Sequence, residues 1–285
     1  MEHKSRVAII TDSGTDTPRD FAREHDVRIV PLRIIFPDRT YESGVDITDA
    51  ELMARMQREL PTTSLPAPDE IMATIQQAKD DGYEAALIVT ISSGLSGTYD
   101  TFRLLAGQVE DFPVDVVDTR NIGIAAGLIV MEAVRMAELG VPFMALRPGL
   151  EALAKRTRVY FAVKDLTYLR KGGRISEAVY RVGSVLNIKP VITCDGDGRY
   201  VISRKARGWD KALRTEVSLI EQDSRSWPKV RVAICCSASC NEFDRMEKDI
   251  RRQMDNVVEV VRSGISPDLL VHTGPDIVGL AVQAV

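Results

Sequence analysis

The chain has 285 residues, of which 45% are hydrophobic, 27% charged and 6% aromatic. This length fits about two domains, and the composition excludes collagen, a coiled coil or long disorder as the main architecture. The formal net charge of −4 argues against a general nucleic-acid-binding protein, because such proteins usually carry a basic excess.

No segment is apolar enough for a signal peptide or a membrane span. The longest candidate, residues 122–131, falls well short of the roughly 20 apolar residues that cross a bilayer. Four cysteines are too few for a disulfide scaffold, and Cys235, Cys236 and Cys240 lie in or after a predicted buried strand. We expect no metal site, no cofactor, no integral membrane segment and a cytoplasmic location.

The first half alternates short apolar runs with amphipathic segments. The apolar runs predict strands at 7–10, 29–35, 85–91 and 114–117. Apolar residues at helical spacing predict helices at 18–25, 49–60, 69–80, 98–109, 122–139 and 143–157. Continuous apolar strands separated by helices are typical of a mostly parallel sheet covered on both faces. Ligands of such sheets bind at the carboxyl ends of the strands.

The second half has a different pattern. It predicts strands at 159–163, 188–193, 200–205, 230–236, 257–261 and 269–271, and helices at 165–171, from Ser176, and at 241–254. The turn at 195–198 joins two of these strands into a hairpin. The fold class is therefore α/β with two domains: residues 1–158 form a mostly parallel α/β/α domain, and residues 159–285 form an α+β domain.

A serine- and glycine-rich turn follows the strand at 85–91. Ser93 and Ser96 can cap the next helix, while Gly94 and Gly97 allow a ligand to approach the backbone. Unpaired N–H groups at a helix start favour a carboxylate or phosphate. The alternative is a helix cap whose glycines serve only the turn.

A second polar loop, Pro61-Thr62-Thr63-Ser64, places three hydroxyls after a proline. Proline restricts the residue before it and stiffens the loop. Such a loop either holds a polar head group or is a plain linker before the next helix.

Two titratable residues follow predicted strands. Asp12 either binds a cation, acts as a base or caps the next turn, and capping is favoured. His272 lies at a predicted strand-to-loop junction, where it can donate to an anion.

Two small basic clusters complete the candidates. The cluster at 171–174 is typical of a helix C-terminus, and the cluster at 204–207 is either solvated or contacts a phosphate or a partner. No Cys–His or Ser–His–Asp arrangement with recognisable spacing supports a nucleophilic enzyme.

The ordered set of these motifs resembles the DegV family of bacterial fatty-acid-binding proteins. The resemblance extends over nearly the whole chain and depends on the order of the motifs rather than on any one of them. The motifs are Thr11-Asp-Ser13, Pro31-Leu32, Tyr41-x-x-Gly-Val-Asp-Ile47, Pro61-Thr-Thr-Ser64, Ser92-Ser-Gly-Leu-Ser-Gly-Thr98, Tyr168-Leu-x-x-Gly-Gly-Arg-Ile175, Leu186-Asn-Ile-Lys-Pro190 and His272-Thr-Gly-Pro275.

The resemblance implies one long-chain fatty acid, of the palmitate, stearate or oleate class, in a buried tunnel between two domains. It implies that Thr63 and Ser93 bind the carboxylate, followed by Thr62, Ser96 and Gly94, with His272 nearby. It places Arg207 at the mouth, where a partner or a phosphate contacts it. The implied partner is a separate fatty-acid kinase that converts the carried acid to an acyl phosphate used in phospholipid metabolism.

Two functions from different classes follow from these observations. The first is a lipid-binding carrier that is not itself an enzyme. The alternative is an enzyme acting on a small phosphorylated or carboxylated substrate in the same cleft, with Asp12 or His272 as acid or base.

Overall fold

The structure, a computed structural model, describes residues 6–183, 187–237 and 241–285. Three sheets organise this part of the chain: a parallel sheet in the order β2-β1-β6-β7, a small antiparallel sheet in the order β4-β3-β5, and a six-stranded sheet in the order β10-β9-β8-β13-β11-β12. Within the six-stranded sheet, β11 and β12 are parallel and the other neighbours are antiparallel.

The strands are β1 (Val7–Asp12), β2 (Arg28–Val30), β3 (Arg33–Ile35), β4 (Thr40–Glu42), β5 (Thr62–Ser64), β6 (Ala85–Thr90), β7 (Val114–Asp118), β8 (Thr157–Val163), β9 (Ile188–Cys194), β10 (Tyr200–Arg207), β11 (Val230–Cys236), β12 (Val257–Ser263) and β13 (Ile277–Ala284). The α-helices are α1 (Arg19–Glu24), α2 (Asp49–Met56), α3 (Pro68–Asp80), α4 (Thr98–Ala106), α5 (Ile124–Glu138), α6 (Phe143–Ala154), α7 (Thr167–Lys171), α8 (Glu177–Gly183), α9 (Trp209–Ser224), α10 (Phe243–Gln253) and α11 (Pro267–Thr273).

The parallel sheet is covered on both faces, as the sequence predicts. Helices α3 and α4 pack on one face, and α5 and α6 pack on the other. Helix α5 is apolar on nearly every side and contacts both the parallel sheet and strands β8, β11 and β13. A helix that is hydrophobic all round is expected to be buried, and α5 joins the two large sheets.

The largest apolar cluster packs the six-stranded sheet against α5, the helix that joins this sheet to the parallel one. It combines Ile124 of α5, Phe161 of β8, Cys235 of β11 and Leu270 of α11 with residues of the small sheet such as Ile34. A separate cluster packs the opposite face of the six-stranded sheet against α9 and α10. The α/β fold class with two large sheets is therefore confirmed. The division at residue 158 stays a prediction.

Three local predictions are wrong. Residues 29–35 form two strands in different sheets, because the chain turns at Pro31, which has no N–H to donate, and the Leu32 N–H bonds to the Ser13 hydroxyl. Thr157 begins β8 and is not in the preceding helix. Residues 269–271, predicted as a strand, are part of helix α11. This helix begins with Pro267 and Asp268, and both residue types are common in the first turn of a helix.

Helix α9 and strands β4, β5 and β13 are elements that the sequence patterns did not indicate. Cys240 and Leu186, which enter the cysteine and motif arguments, lie outside the described residues.

Candidate functional site

The serine-rich turn lies where the parallel sheet meets the β9–β10 hairpin. The Ser92 hydroxyl donates to the Gly198 carbonyl at 2.9 Å, and both residues are buried. A side chain at Gly94 would collide with the Asp197 carbonyl, and Gly198 adopts a φ of +74°. Glycine is therefore required at both positions for the two backbones to approach each other.

Ser93 is exposed and is already bonded to a carboxylate. Its hydroxyl donates to Asp118 Oδ2 at 2.6 Å, and its N–H donates to Asp118 Oδ1 at 3.1 Å. It lines a surface groove of about 720 Å³. The Ser96 hydroxyl instead accepts from the Thr98 N–H at 3.3 Å, next to Gly97, which is the N-cap of α4.

Thr63 and His272 come together although 209 positions separate them in sequence. His272 Nε2 lies 2.8 Å from Thr63 Oγ1. Strand β5 pairs Thr63 with the buried Ile34 and Thr62 with the exposed Ile35. Because successive side chains of a strand alternate between faces, Thr63 faces inward and Thr62 faces solvent. The structure thus places these two neighbouring hydroxyls on opposite faces of β5.

His272 occupies the last turn of α11 and not a strand-to-loop junction. Burial, together with a smaller contribution from the charge of Arg174, lowers the pKa of His272 to about 3. The imidazole is consequently neutral at physiological pH. Its Nδ1 is buried and has no hydrogen-bond partner within the described chain. Gly172 backs the ring, and any side chain there would collide with it.

Arg174 is the residue that sequence reasoning undervalued. Its guanidinium donates to the Gly172 carbonyl at 2.6 Å, is partly buried, and has no carboxylate partner among the described residues. Burial lowers its pKa from the ordinary arginine value. Arg174 lines a surface pocket of about 430 Å³ with Gly94, Leu95 and Arg199. The signal in the sequence was the Gly-Gly-Arg motif, which we interpreted as simple helix capping.

Arg207 lies at the far end of the hairpin. It pairs with Ile188, whereas the turn that contacts Ser92 follows Cys194. Six residues of strand at about 3.3 Å each separate these two ends by roughly 20 Å. Arg174 and Arg199 are the arginines that the structure places at the pocket, and a partner contact at Arg207 stays a prediction.

An apolar cavity of about 30 Å³ lies inside the cluster between the large sheets. That volume is comparable to the space one water molecule takes up in the liquid. Most of its wall is apolar, and its lining is Asp16, Ile122, Gly123, Ile124, Val159, Phe161, Tyr200, Cys235, Ile265, Leu269, Thr273 and Ile277.

Two carboxylates, those of Asp12 and Asp268, are buried in this part of the fold. Asp12 accepts from the Gly14 and Ile91 N–H groups at 3.0 and 2.9 Å, so the capping role is confirmed. Asp268 Oδ1 accepts from the Ser13 and Ser43 hydroxyls, whereas Oδ2 has no partner in the described structure. Burial raises the pKa of Asp12 to about 7, with the charge of Asp268 adding to that rise.

Within the described residues, no group of three metal-ligating side chains is close enough to hold an ion. None of the helices in those residues has the length and apolar character needed to cross a bilayer.

The fold and the site define an α/β protein with an apolar compartment between its two large sheets and a hydroxyl–imidazole pair nearby. The chain belongs to the DegV family: residues 6–285 match the family described as "Uncharacterised protein, DegV family". A DegV domain-containing protein of Clostridium perfringens is 32% identical over 98% of both chains.

Two solved structures share this fold closely. A DegV family protein from Thermus thermophilus, described by its fatty-acid binding, superimposes with a TM-score of 0.91 at 28% identity, covering 98% of this chain and all of that one. A stearic-acid-binding protein from Eubacterium ventriosum superimposes with a TM-score of 0.88 at 27% identity, covering 98% of each chain.

Proposed function

We propose that this protein binds one long-chain fatty acid, with the acyl chain between the two large sheets and the carboxylate near Thr63 and His272. The observation that carries the proposal is the apolar cluster between the sheets, which surrounds a cavity and lies close to a polar pair. The fatty-acid binding described for the Thermus and Eubacterium proteins supports it.

The energetics of the acyl chain favour tight binding. About fifteen methylenes at about 0.8 kcal/mol each contribute roughly 12 kcal/mol before ordering costs are subtracted. The cavity of about 30 Å³ holds no such chain, so side chains of the cluster must move apart when the acid binds.

A neutral His272 suits a hydrogen-bond relay better than an ion pair. With its proton on Nε2, it donates to Thr63 Oγ1 and leaves the Thr63 O–H free to donate to the carboxylate. The unpartnered Nδ1 is then a bare acceptor rather than a buried N–H. The nearby Arg174, which has no carboxylate partner in the part of the chain that the structure describes, supplies positive charge for the anion.

A substitution at Ser93 tests which residues bind the carboxylate head group. We expect Ser93→Ala to weaken palmitate binding by the stripped protein, but by less than a change at Thr63, because the Ser93 hydroxyl already has Asp118 as an acceptor. Titration calorimetry measures the change. Ser64→Ala, at an exposed hydroxyl in the same strand as Thr63, is the matched control. Unchanged affinity in both the Ser93 and Thr63 variants contradicts the proposed head-group site.

We extend the proposal to a non-enzymatic, cytoplasmic carrier that presents its acid to a separate fatty-acid kinase for acyl-phosphate formation. The competing enzyme needs Asp12 or His272 as an acid or base. Both oxygens of Asp12 already accept backbone N–H groups, and the low pKa of His272 makes it a poor proton acceptor near neutral pH. A pull-down of kinase by loaded and by stripped protein tests the partner.

A further inference from the structure

Two separate compartments of the protein share one side chain, that of Tyr200. The outer compartment is the surface pocket of about 430 Å³, where Arg174 and Leu95 are the other relevant lining residues. The inner compartment is the apolar cavity of about 30 Å³, lined by Phe161 and Cys235 among others. Tyr200 thus lies between the surface and the interior of the cluster.

Contacts on one side hold the Tyr200 ring in this place. The ring packs edge-on against Phe161, with a centroid distance of 5.1 Å and an interplanar angle of 64°. The Tyr200 hydroxyl makes no hydrogen bond with the described residues, although the ring is largely enclosed. Among the described residues, ring packing therefore holds the side chain, and rotation about its χ angles breaks no hydrogen bond to them.

We propose that Tyr200 controls the passage of the acyl chain between the surface pocket and the interior, and so determines how fast different chains enter and leave. This inference rests on the proposed function, because it concerns the path of the same ligand. An acid whose carboxylate lies near Arg174 and whose tail lies beside Phe161 and Cys235 must pass the Tyr200 ring.

The role predicts a kinetic signature. A side chain that blocks the path slows entrance and exit alike, so its removal raises both rate constants while their ratio, the dissociation constant, changes less. Loss of an ordinary binding contact raises the exit rate alone. The two roles are distinguishable in one experiment.

Stopped-flow fluorescence with cis-parinaric acid, an intrinsically fluorescent C18 acid, measures both rates in stripped protein. We expect Tyr200→Ala to raise both by tenfold or more, and Tyr200→Phe, which keeps the ring, to change them by less than threefold. Val201→Ala is the matched control, because adjacent strand residues face opposite sides of the sheet. Rates in Tyr200→Ala within threefold of wild type, or a rise in the exit rate alone, overturn the inference.

A second measurement needs no fatty acid. Cys235 lines the cavity behind Tyr200, whereas the adjacent Cys236 belongs to the apolar cluster on the opposite face of the sheet. We expect Tyr200→Ala to speed N-ethylmaleimide labelling of Cys235 at least tenfold in the reduced protein, with Cys236 unchanged, as followed by peptide mass spectrometry. Equal acceleration of labelling at both cysteines indicates that the variant unfolds. No acceleration at Cys235 shows that Tyr200 does not block access to the cavity. Either result contradicts the inference.

These two experiments separate the inference from the proposed function. If the wild-type protein binds no C14–C18 acid, the proposed function fails, and the labelling of Cys235 still decides whether Tyr200 closes the cavity. If the acid binds but neither rate responds to Tyr200→Ala, the proposed function stands and the inference fails.

Discussion

Thr63→Val is expected to weaken palmitate binding about 10- to 100-fold and to lower the free energy of unfolding by about 1–3 kcal/mol, because the largely buried His272 Nε2–H loses its acceptor. Valine keeps the branched shape that suits β5 but removes the hydroxyl that His272 contacts at 2.8 Å. A hydrogen bond to a charged group contributes about 1.5–3 kcal/mol, which sets the expected loss of affinity. Titration of the stripped protein with palmitate measures it.

Thr62→Val is the matched control, because Thr62 occupies the same strand but faces solvent beside Ile35. We expect its effect to be within about twofold. The double variant Thr63→Val with His272→Ala is expected to lose less than the sum of the two single losses, since both residues act on one hydroxyl. Equal effects at Thr62 and Thr63 contradict the relay.

Asp268→Asn is expected to stabilise the protein at pH 8. Asp268 is 1% exposed, and its Oδ2 has no partner within the described residues. A buried polar atom without a partner costs about 1–3 kcal/mol, and a charge costs more. Asparagine keeps the Oδ1 acceptor for the Ser13 and Ser43 hydroxyls and replaces Oδ2 with an amide nitrogen, so the expected gain comes from removing the buried charge.

The gain is expected to depend on pH. Burial raises the pKa of Asp268, and the Ser43 and Ser13 hydroxyls lower it by less, so the folded protein holds this proton at a pH where the unfolded chain has lost it. The stability that the group contributes is full below its ordinary pKa of about 4 and falls as pH rises through its folded value. Burial also raises the pKa of Asp12, to about 7, so the stability that Asp12 contributes likewise falls as the pH rises.

Urea unfolding at pH 5 and pH 8 measures this dependence in stripped protein. We expect Asp268→Asn to gain at least about 1 kcal/mol at pH 8, or about 2–4 °C in Tm, and clearly less at pH 5. Asp20→Asn, at a carboxylate that is 91% exposed and paired with Arg23 at the surface, is the control and should change the free energy of unfolding by less than about 1 kcal/mol, equally at both pH values. A loss of stability for Asp268→Asn that is equal at both pH values contradicts the account.

The sequence predicted strands and helices well where their hydrophobic pattern determines the secondary structure. It predicted them poorly where contacts with distant residues determine it. The buried strands β1, β6, β7, β8 and β11 carry nearly continuous apolar runs, and each was predicted to within two residues at each end. Residues 269–271 are a short apolar run, which periodicity cannot assign, and the packing of α11 makes them helical. The break at Pro31 depends on Ser13, a partner distant in sequence.

The candidate site shows the same limit. The motif order indicated Thr63, Ser93 and His272 as candidates, but only the pairing of β5 with β3 orients Thr63 inward, and only Asp118 explains where the Ser93 hydroxyl points. The sequence alone could not distinguish Arg174 from the other basic residue of the cluster at 171–174. Its distinguishing feature is the absence of a carboxylate partner among the described residues, which three-dimensional packing decides.

The most direct test of the central claim is denaturing solvent extraction of freshly purified protein followed by mass spectrometry. The account predicts about one long-chain fatty acid per chain. An empty extract from a protein that, once stripped, also fails to take up added C14–C18 acids would contradict the binding of a fatty acid between the two sheets.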